Sequence, residues 1–235
     1  MQNMIISVNI NLQVSIYTFQ FTILKRGGLV ALKRLGIMGG TFDPVHYGHL
    51  VAAEGARYQF QLEKIIFVPT GWPPHKAPEE VSEPRHRLAL TRLAINSNPF
   101  FAVSAMEIER NGLSYTIDTV RETSNLFPGA QIFFITGADA VLEILNWKNV
   151  AELLSICLFI AATRPGYRLG SLKARLHGFS PSQLERIIVM EVPALAISST
   201  DIRQRIKKGR PIKYLLPEAV ENYILEHGLY QKQIS

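Results

Sequence analysis

The sequence predicts an α/β protein built on a doubly wound, mainly parallel sheet with C-terminal helices. Six short apolar, β-rich runs carry that expectation: "RLGIMG" (34–39), "KIIFVPT" (64–70), "FFAVSAME" (100–107), "QIFFITG" (131–137), "CLFIAAT" (157–163) and "RIIVMEV" (186–192). Runs apolar at nearly every position suit strands buried on both faces, as in parallel sheets. The second observation is that segments with apolar residues at three- and four-residue steps lie between them, and strand alternating with helix gives right-handed βαβ units.

Taken in order, the chain opens on a leader of different character. "IISVNINLQVSIYTFQF" alternates apolar and polar residues with strand periodicity, and Asn9, Asn11 and Gln13 interrupt it too often for a membrane helix or a secretory signal. Residues 1–33 are expected to stand outside the fold, as a misassigned start or a loosely attached tail. Residues 34–235 are then one domain, with structure beginning near Leu32. The interstrand segments "HLVAAEGARYQF", "PRHRLALTRLAIN", "SYTIDTVRETSNLF" and "WKNVAELLSI" read as helices, and the "RHR" at 85–87 as the exposed start of one. After the last strand come two further helices, "SSTDIRQRIKKG", closing at Gly209, and "PEAVENYILEHGLY", with Val220, Tyr223 and Ile224 as its packing stripe.

With 25 Lys and Arg against 19 Asp and Glu, the formal charge of +6 favours anionic partners. The single cysteine, Cys157, excludes an intrachain disulfide and any Cys-based zinc site, fits a buried thiol in an apolar run, and points to a reducing cytoplasm. No segment is a membrane candidate, and no zinc-finger, RNA-recognition or helix-turn-helix signature marks a nucleic-acid partner.

Ligands of open α/β sheets bind beyond the carboxyl ends of the strands, near the point where strand order reverses. Motifs at strand ends therefore carry weight, above all "GGTFDPVHYGH". Gly39 and Gly40 end the first strand, so bare backbone N–H groups can approach an anion, and His46 and His49 lie one turn apart where the next helix begins. Three readings are open for the pair: donors to phosphate, metal ligands, or two satisfied surface histidines. The spacing is not the i, i+4 of a helical zinc pair, and no third ligand is evident. Neither a P-loop nor a G-x-G-x-x-G dinucleotide fingerprint is present. In "ISSTDIR", Ser198, Ser199 and Thr200 stand at the mouth of a helix with Arg203 on the same face. They form either a second anion site or an N-cap ahead of a solvated basic helix, to which Lys207, Lys208 and Arg210 belong.

Together, "GGTFDPVHYGHL" and "ISSTDIR" resemble the paired signature of the nucleotidyltransferase superfamily with a His-x-Gly-His-type motif, and specifically its nicotinate mononucleotide adenylyltransferase family. "PTGWPPHK", "NGLSYTIDTV", "FFITGADAV" and "NWKNVAELL" resemble that family too, so the likeness spans everything but the leader. It implies a Rossmann-like nucleotidyltransferase fold. The implied reaction moves the adenylyl group of ATP to nicotinate mononucleotide, with Mg²⁺ accompanying ATP and no metal held by the chain itself. Nicotinamide mononucleotide or pantetheine phosphate are alternative acceptors, and a non-catalytic nucleotide or RNA binder is the alternative class; homo-oligomerisation stays open.

By position, the resemblance implies that Gly39, Gly40, Thr41, Phe42, His46 and His49 hold the ATP phosphates, and that Ser198, Ser199, Thr200 and Arg203 close on them. His46, His49 and Arg203 would stabilise the transition state. Lys76 would approach the substrate phosphate, Tyr115 and Thr116 would lie beside the nicotinate carboxylate, and Trp147 would stack on the pyridine ring. Gly137 and Asp139 would contact the nucleotide, and Arg164 takes a substrate role from its place in "TRPG". Each also has a plainer reading: Trp147 as a packing aromatic, Lys76 as a solvated cation in a Pro-rich loop, Thr116 as a helix-start residue.

Overall fold

In a computed structural model, described for residues 32–74, 77–163, 178–193 and 196–231, the apolar runs become the strands of one sheet. β1 (Arg34–Gly40), β2 (Lys64–Pro69), β3 (Phe101–Val103), β4 (Gln131–Gly137), β5 (Cys157–Thr163) and β6 (Ile187–Glu191) lie in the order β3-β2-β1-β4-β5-β6, all parallel. β1 pairs with β2 on one side, Ile37 beside Ile66, and with β4 on the other, Ile37 beside Phe134. The chain winds outward from β1 to β3 and returns to β4, so strand order reverses between β1 and β4, and a crevice must open at their carboxyl ends.

Helices cover both faces because each strand alternates side chains between them. They are α1 (Tyr47–Gln59), α2 (Pro84–Ile95), α3 (Met106–Glu109), α4 (Thr116–Leu126), α5 (Ala138–Leu142), α6 (Val150–Ile156), α7 (Pro181–Leu184), α8 (Ser199–Lys207) and α9 (Glu218–Glu226). Leu35, Ile37, Ile65, Phe67, Phe159 and Ile160 have no exposed surface. Phe134 and Phe159 meet at 5.4 Å between ring centroids, and Phe67 and Phe101 at 5.1 Å. Val220 and Ile224 bury the stripe expected on the last helix, with Tyr223 half-buried beside them. Cys157 is buried, and burial pushes its thiol up to about 12, so it is an inert packing group. No helix of the described residues is long and apolar enough to cross a membrane.

Four expectations change. The third strand ends at Val103 rather than running to 107, because Ser104 N–H makes the last ladder bond to Phe67 O and the Ser104 hydroxyl then accepts Met106 N–H, turning the chain into α3. "WKNVAELLSI" is not one helix: Asn149 sits in the left-handed region at φ 51, leaving Trp147 on an extended stretch before α6. The boundary of the leader moves back from residue 33, since Leu32 is buried, where structure was expected to begin, and Lys33 O accepts Gln131 N–H at 2.8 Å, prolonging the central β1–β4 ladder. Of "RHR", Arg85 is exposed, but Arg87 is the largest fully buried side chain among the described residues. Its hydrogen bonds all go to backbone carbonyls.

Packing therefore dominates stability, and surface ion pairs such as Arg121–Glu152 add little. Ile160→Ala should cost about 2–5 kcal/mol in urea unfolding, against about 1 kcal/mol or less for Arg121→Ala. Equal losses would show that the core does not carry the fold.

Candidate active site

Past Gly40 the chain has no regular structure until α1, and it is held by side chains from elsewhere. Phe42, in the left-handed region at φ 50, buries its ring between Phe67 at 5.7 Å and the edge of His49 at 5.1 Å. The Asp43 carboxylate is buried, accepting Tyr230 Oη–H at 2.7 Å and Ser82 N–H at 3.2 Å. Asp43 O accepts Arg203 Nη1–H at 2.7 Å, and Pro44 O accepts the Ser199 hydroxyl at 2.8 Å.

This loop delivers His46 to the N-cap of α1 and His49 to its third residue, with ring centroids 3.8 Å apart. Gly48 leaves room for the His46 ring, since a Cβ there would come within 3.0 Å of its Nδ1 and Cε1. His46 N–H donates to His49 Nδ1 at 3.2 Å. A nitrogen that accepts carries no proton, so the neutral His49 ring keeps its proton on Nε2 as a donor. His46 Nδ1 is buried with no hydrogen-bond partner among the described residues. Burial lowers the His46 pKa from 6.5 to about 4. Burial, reinforced by the neighbouring His46, holds His49 well below the usual imidazole value. Near neutrality both rings are uncharged donors.

The C-terminal motif arrives against the same loop. Ser198 caps α8, its hydroxyl accepting Asp201 N–H at 3.1 Å. Arg203 reaches Thr200 Oγ1 at 3.4 Å as well as Asp43 O. The first N–H groups of α8 have no partner within the helix and carry the positive end of its dipole. Ser199 and Arg203 thus hold the loop as well as flanking it.

Beside the loop lies a cleft of about 560 Å³, and Gly39, Gly40, Thr41, Tyr115, Thr116 and Trp147 are among the residues that line it. Trp147 stands edge-on to Phe134 at 6.0 Å and to Phe159 at 5.8 Å, so it packs on the sheet and lines the cleft at once. Tyr115 is the N-cap of α4, which aims that helix's N-terminal N–H groups at the cleft wall. Gly137 caps α5 and Asp139 lies in its first turn; neither lines the cleft, although Thr136 and Ala140 on either side do. Lys76 and Arg164 lie outside the described residues.

Several lining groups escape the sequence. Lys148 Nζ sits 4.2 Å from the Tyr115 ring centroid and 3.6 Å from Asp118 Oδ2; its only sequence signal is adjacency to Trp147. Glu107 is buried and lines the cleft; burial raises its carboxyl pKa and the Thr119 hydroxyl, donating at 2.6 Å, opposes the rise. The Ser114 hydroxyl accepts Gly71 N–H at 3.1 Å and Trp72 N–H at 3.2 Å. Gly71 tolerates no side chain, because a Cβ would lie 2.0 Å from Glu107 O.

Among the described residues no group of three His, Cys, Asp or Glu is placed to hold a metal ion. The loop and the start of α8 offer N–H, hydroxyl, imidazole and guanidinium donors, which suit an anion and not a bare divalent cation. A cation here fits only as the companion of a polyphosphate.

A parallel sheet with a glycine and histidine donor loop at its switch point defines a nucleotidyltransferase-type α/β protein. Comparison with known proteins agrees. The model of the cytidylyltransferase-like family matches residues 37–205. The probable nicotinate-nucleotide adenylyltransferase of Moorella thermoacetica is 57% identical over 86% of this chain and 93% of that protein. The one of Thermoanaerobacter sp. is 56% identical over 85% and 95%. Among solved structures, Plasmodium falciparum nicotinic acid mononucleotide adenylyltransferase complexed with NaAD shares the fold, with a TM-score of 0.66 at 21% identity over 84% of this chain and 97% of that one. The chain belongs to the cytidylyltransferase-like family, among its nicotinate-nucleotide adenylyltransferases.

The buried histidines make stability depend on pH. The unfolded chain protonates His46 near 6.5 and the folded chain only near 4, so the unfolded state binds the extra proton between those values, and stability falls as pH drops through that window. The loss from His46 should approach about 3 kcal/mol by the bottom of the window. Urea unfolding at neutral and mildly acidic pH checks this: His46→Asn should shrink the acid loss, and an unchanged loss would assign it to other groups.

Proposed function

We propose that the protein transfers the adenylyl group of ATP to nicotinate mononucleotide, giving nicotinate adenine dinucleotide and pyrophosphate in NAD biosynthesis. The observation that carries this reading is the extent of identity with relatives of that name, over nearly the whole described fold. The placement of neutral imidazole donors at the sheet's switch point supports it.

A phosphate oxygen of the mononucleotide attacks the α-phosphorus of ATP. The new P–O bond forms as the bond from that phosphorus to the bridging oxygen of the leaving pyrophosphate breaks, and pyrophosphate departs with the electron pair. The nucleophile is already anionic near neutrality, so no enzyme nucleophile or strong general base is needed. What the chain supplies is alignment and stabilisation of charge. Backbone N–H groups of Gly39 to Phe42 receive the phosphates, while His46 and His49 donate to oxygens that gain charge as pyrophosphate leaves. Ser198, Ser199 and Thr200 at the start of α8, with the Arg203 guanidinium, close on the same phosphates. The α4 N-terminus at Tyr115 and Thr116 takes the nicotinate carboxylate, and Trp147 presents its indole face to the pyridine ring. Gly137 and Asp139 approach the nucleotide from the end of β4, and the family likeness gives Lys76 and Arg164 to the substrate as well. Mg²⁺ bound to the ATP phosphates would offset the repulsion between the two polyanions, held by the nucleotide and not by side chains of this protein. The same reading makes the protein a cytoplasmic enzyme of small-molecule substrates with no nucleic-acid partner.

Pyrophosphate release from ATP, with nicotinate mononucleotide, nicotinamide mononucleotide and phosphopantetheine run in parallel, tests the reaction. Release should be greatest with the first, and none with any acceptor would leave a nucleotide binder. His49→Ala should depress kcat by about 100-fold or more with a smaller change in KM, because its bond strengthens in the transition state. A near-normal kcat would remove His49 from the chemistry.

The leader is assigned no part in catalysis. Deleting residues 1–29 should leave both melting temperature and kcat/KM near those of the full chain, and a collapse of either would overturn that.

A further inference from the structure

Arg87 is fully buried, yet its side-chain hydrogen bonds go to three backbone carbonyls. Nε–H donates to Ser82 O at 2.9 Å, Nη1–H to Thr41 O at 2.9 Å and Nη2–H to Gly71 O at 3.0 Å. These carbonyls belong to three separate segments: the loop after β1, the loop after β2 and the turn into α2. Thr41 lines the cleft. Gly71 is locked to two further lining residues, through its N–H to Ser114 Oγ and its close approach to Glu107 O.

Burying a guanidinium is costly, and an apolar side chain would pack α2 against the sheet without that cost. It would, however, leave three loop carbonyls inside the protein without donors. Only the rigid five-donor fork of arginine meets three carbonyls along divergent directions; a lysine ammonium is a point charge on a flexible stem.

We infer that Arg87 is a positioning residue that fixes the loop after β1 relative to the Glu107 and Ser114 part of the cleft lining, and so sets the alignment of the two substrates. The inference rests on the adenylyl-transfer reading above. Arg87 is fully buried and so reaches neither substrate directly. What Arg87 controls is the register between the loop and the rest of the lining, and alignment appears in kcat and not in either KM.

Arg87→Lys, Arg87→Ala and Arg87→Met in the full chain test this, with the exposed neighbour changed in Arg85→Ala as the control. Arg87→Lys should remain folded at the assay temperature, lose about tenfold or more in kcat and keep each KM within about threefold. Guanidinium ion at millimolar concentration should restore part of kcat to Arg87→Ala and none to Arg87→Lys, whose side chain fills the space. Arg85→Ala should match the wild type. A folded Arg87→Lys with undiminished kcat, or one that loses only KM, would overturn the inference. So would losses that simply follow the unfolded fraction across the three variants, including their complete failure to fold. Wild-type protein that releases no pyrophosphate with any acceptor would sink the functional reading itself, whereas active wild type with indifferent Arg87 variants sinks only this inference.

Discussion

The site depends on one constraint: the loop between β1 and α1 cannot hold itself. It lies past the end of the sheet and before the first helical hydrogen bond, so its carbonyls have no partners in regular structure. Thr41 O, Asp43 O and Pro44 O are taken by Arg87 on α2, Arg203 on α8 and Ser199 on α8. The Asp43 carboxylate adds Ser82 N–H and the Tyr230 hydroxyl, and Tyr47 N–H reaches Leu215 O at 3.1 Å. A segment whose N–H groups must face a ligand has its other polar groups satisfied from behind. That leaves it rigid without help from the ligand.

The same arrangement explains why the histidines are neutral. His46 and His49 are wedged between the loop and α1, with Phe42 against His49, and desolvation there outweighs any gain from charge. Two imidazolium ions at this separation would also repel each other. Positive character near the loop comes instead from helix starts and from the Arg203 guanidinium. Neutral N–H donors that are already oriented stabilise charge that develops during a reaction, and they do so without first binding the ground state tightly.

How far the sequence discloses this depends on where each partner bond ends. The strands are legible because continuous apolar runs of that length have few alternatives, and β1, β4 and β5 fall where the runs do. The two motifs are legible as partners because glycine, histidine, serine and arginine at those spacings mark them out, and Ser199 and Arg203 do bond to the β1–α1 loop. Arg87 is misread because its partners are backbone carbonyls at Thr41, Gly71 and Ser82, and a carbonyl leaves no trace in a residue pattern. Lys148 and Glu107 are missed for a related reason: only the folded cleft brings them together with Tyr115 and Thr116. The break before α6 turns on one left-handed asparagine, Asn149, inside a segment whose periodicity otherwise reads as helix.

The separation in sequence of the groups around the loop has a consequence for how the site forms. Asp43 is joined to Ser82, Arg203 and Tyr230, and the last of these lies in the closing residues of the described fold. Ordering the loop early would mean closing that span before the intervening sheet had repaid the lost chain entropy. The pairs β1–β2, β2–β3, β4–β5 and β5–β6 can form first, between strands that are consecutive in sequence. The loop is then fixed only when α8, α9 and Tyr230 dock upon it. Donor geometry at His46 and His49 is therefore a property of the completed chain and not of the motif that contains them.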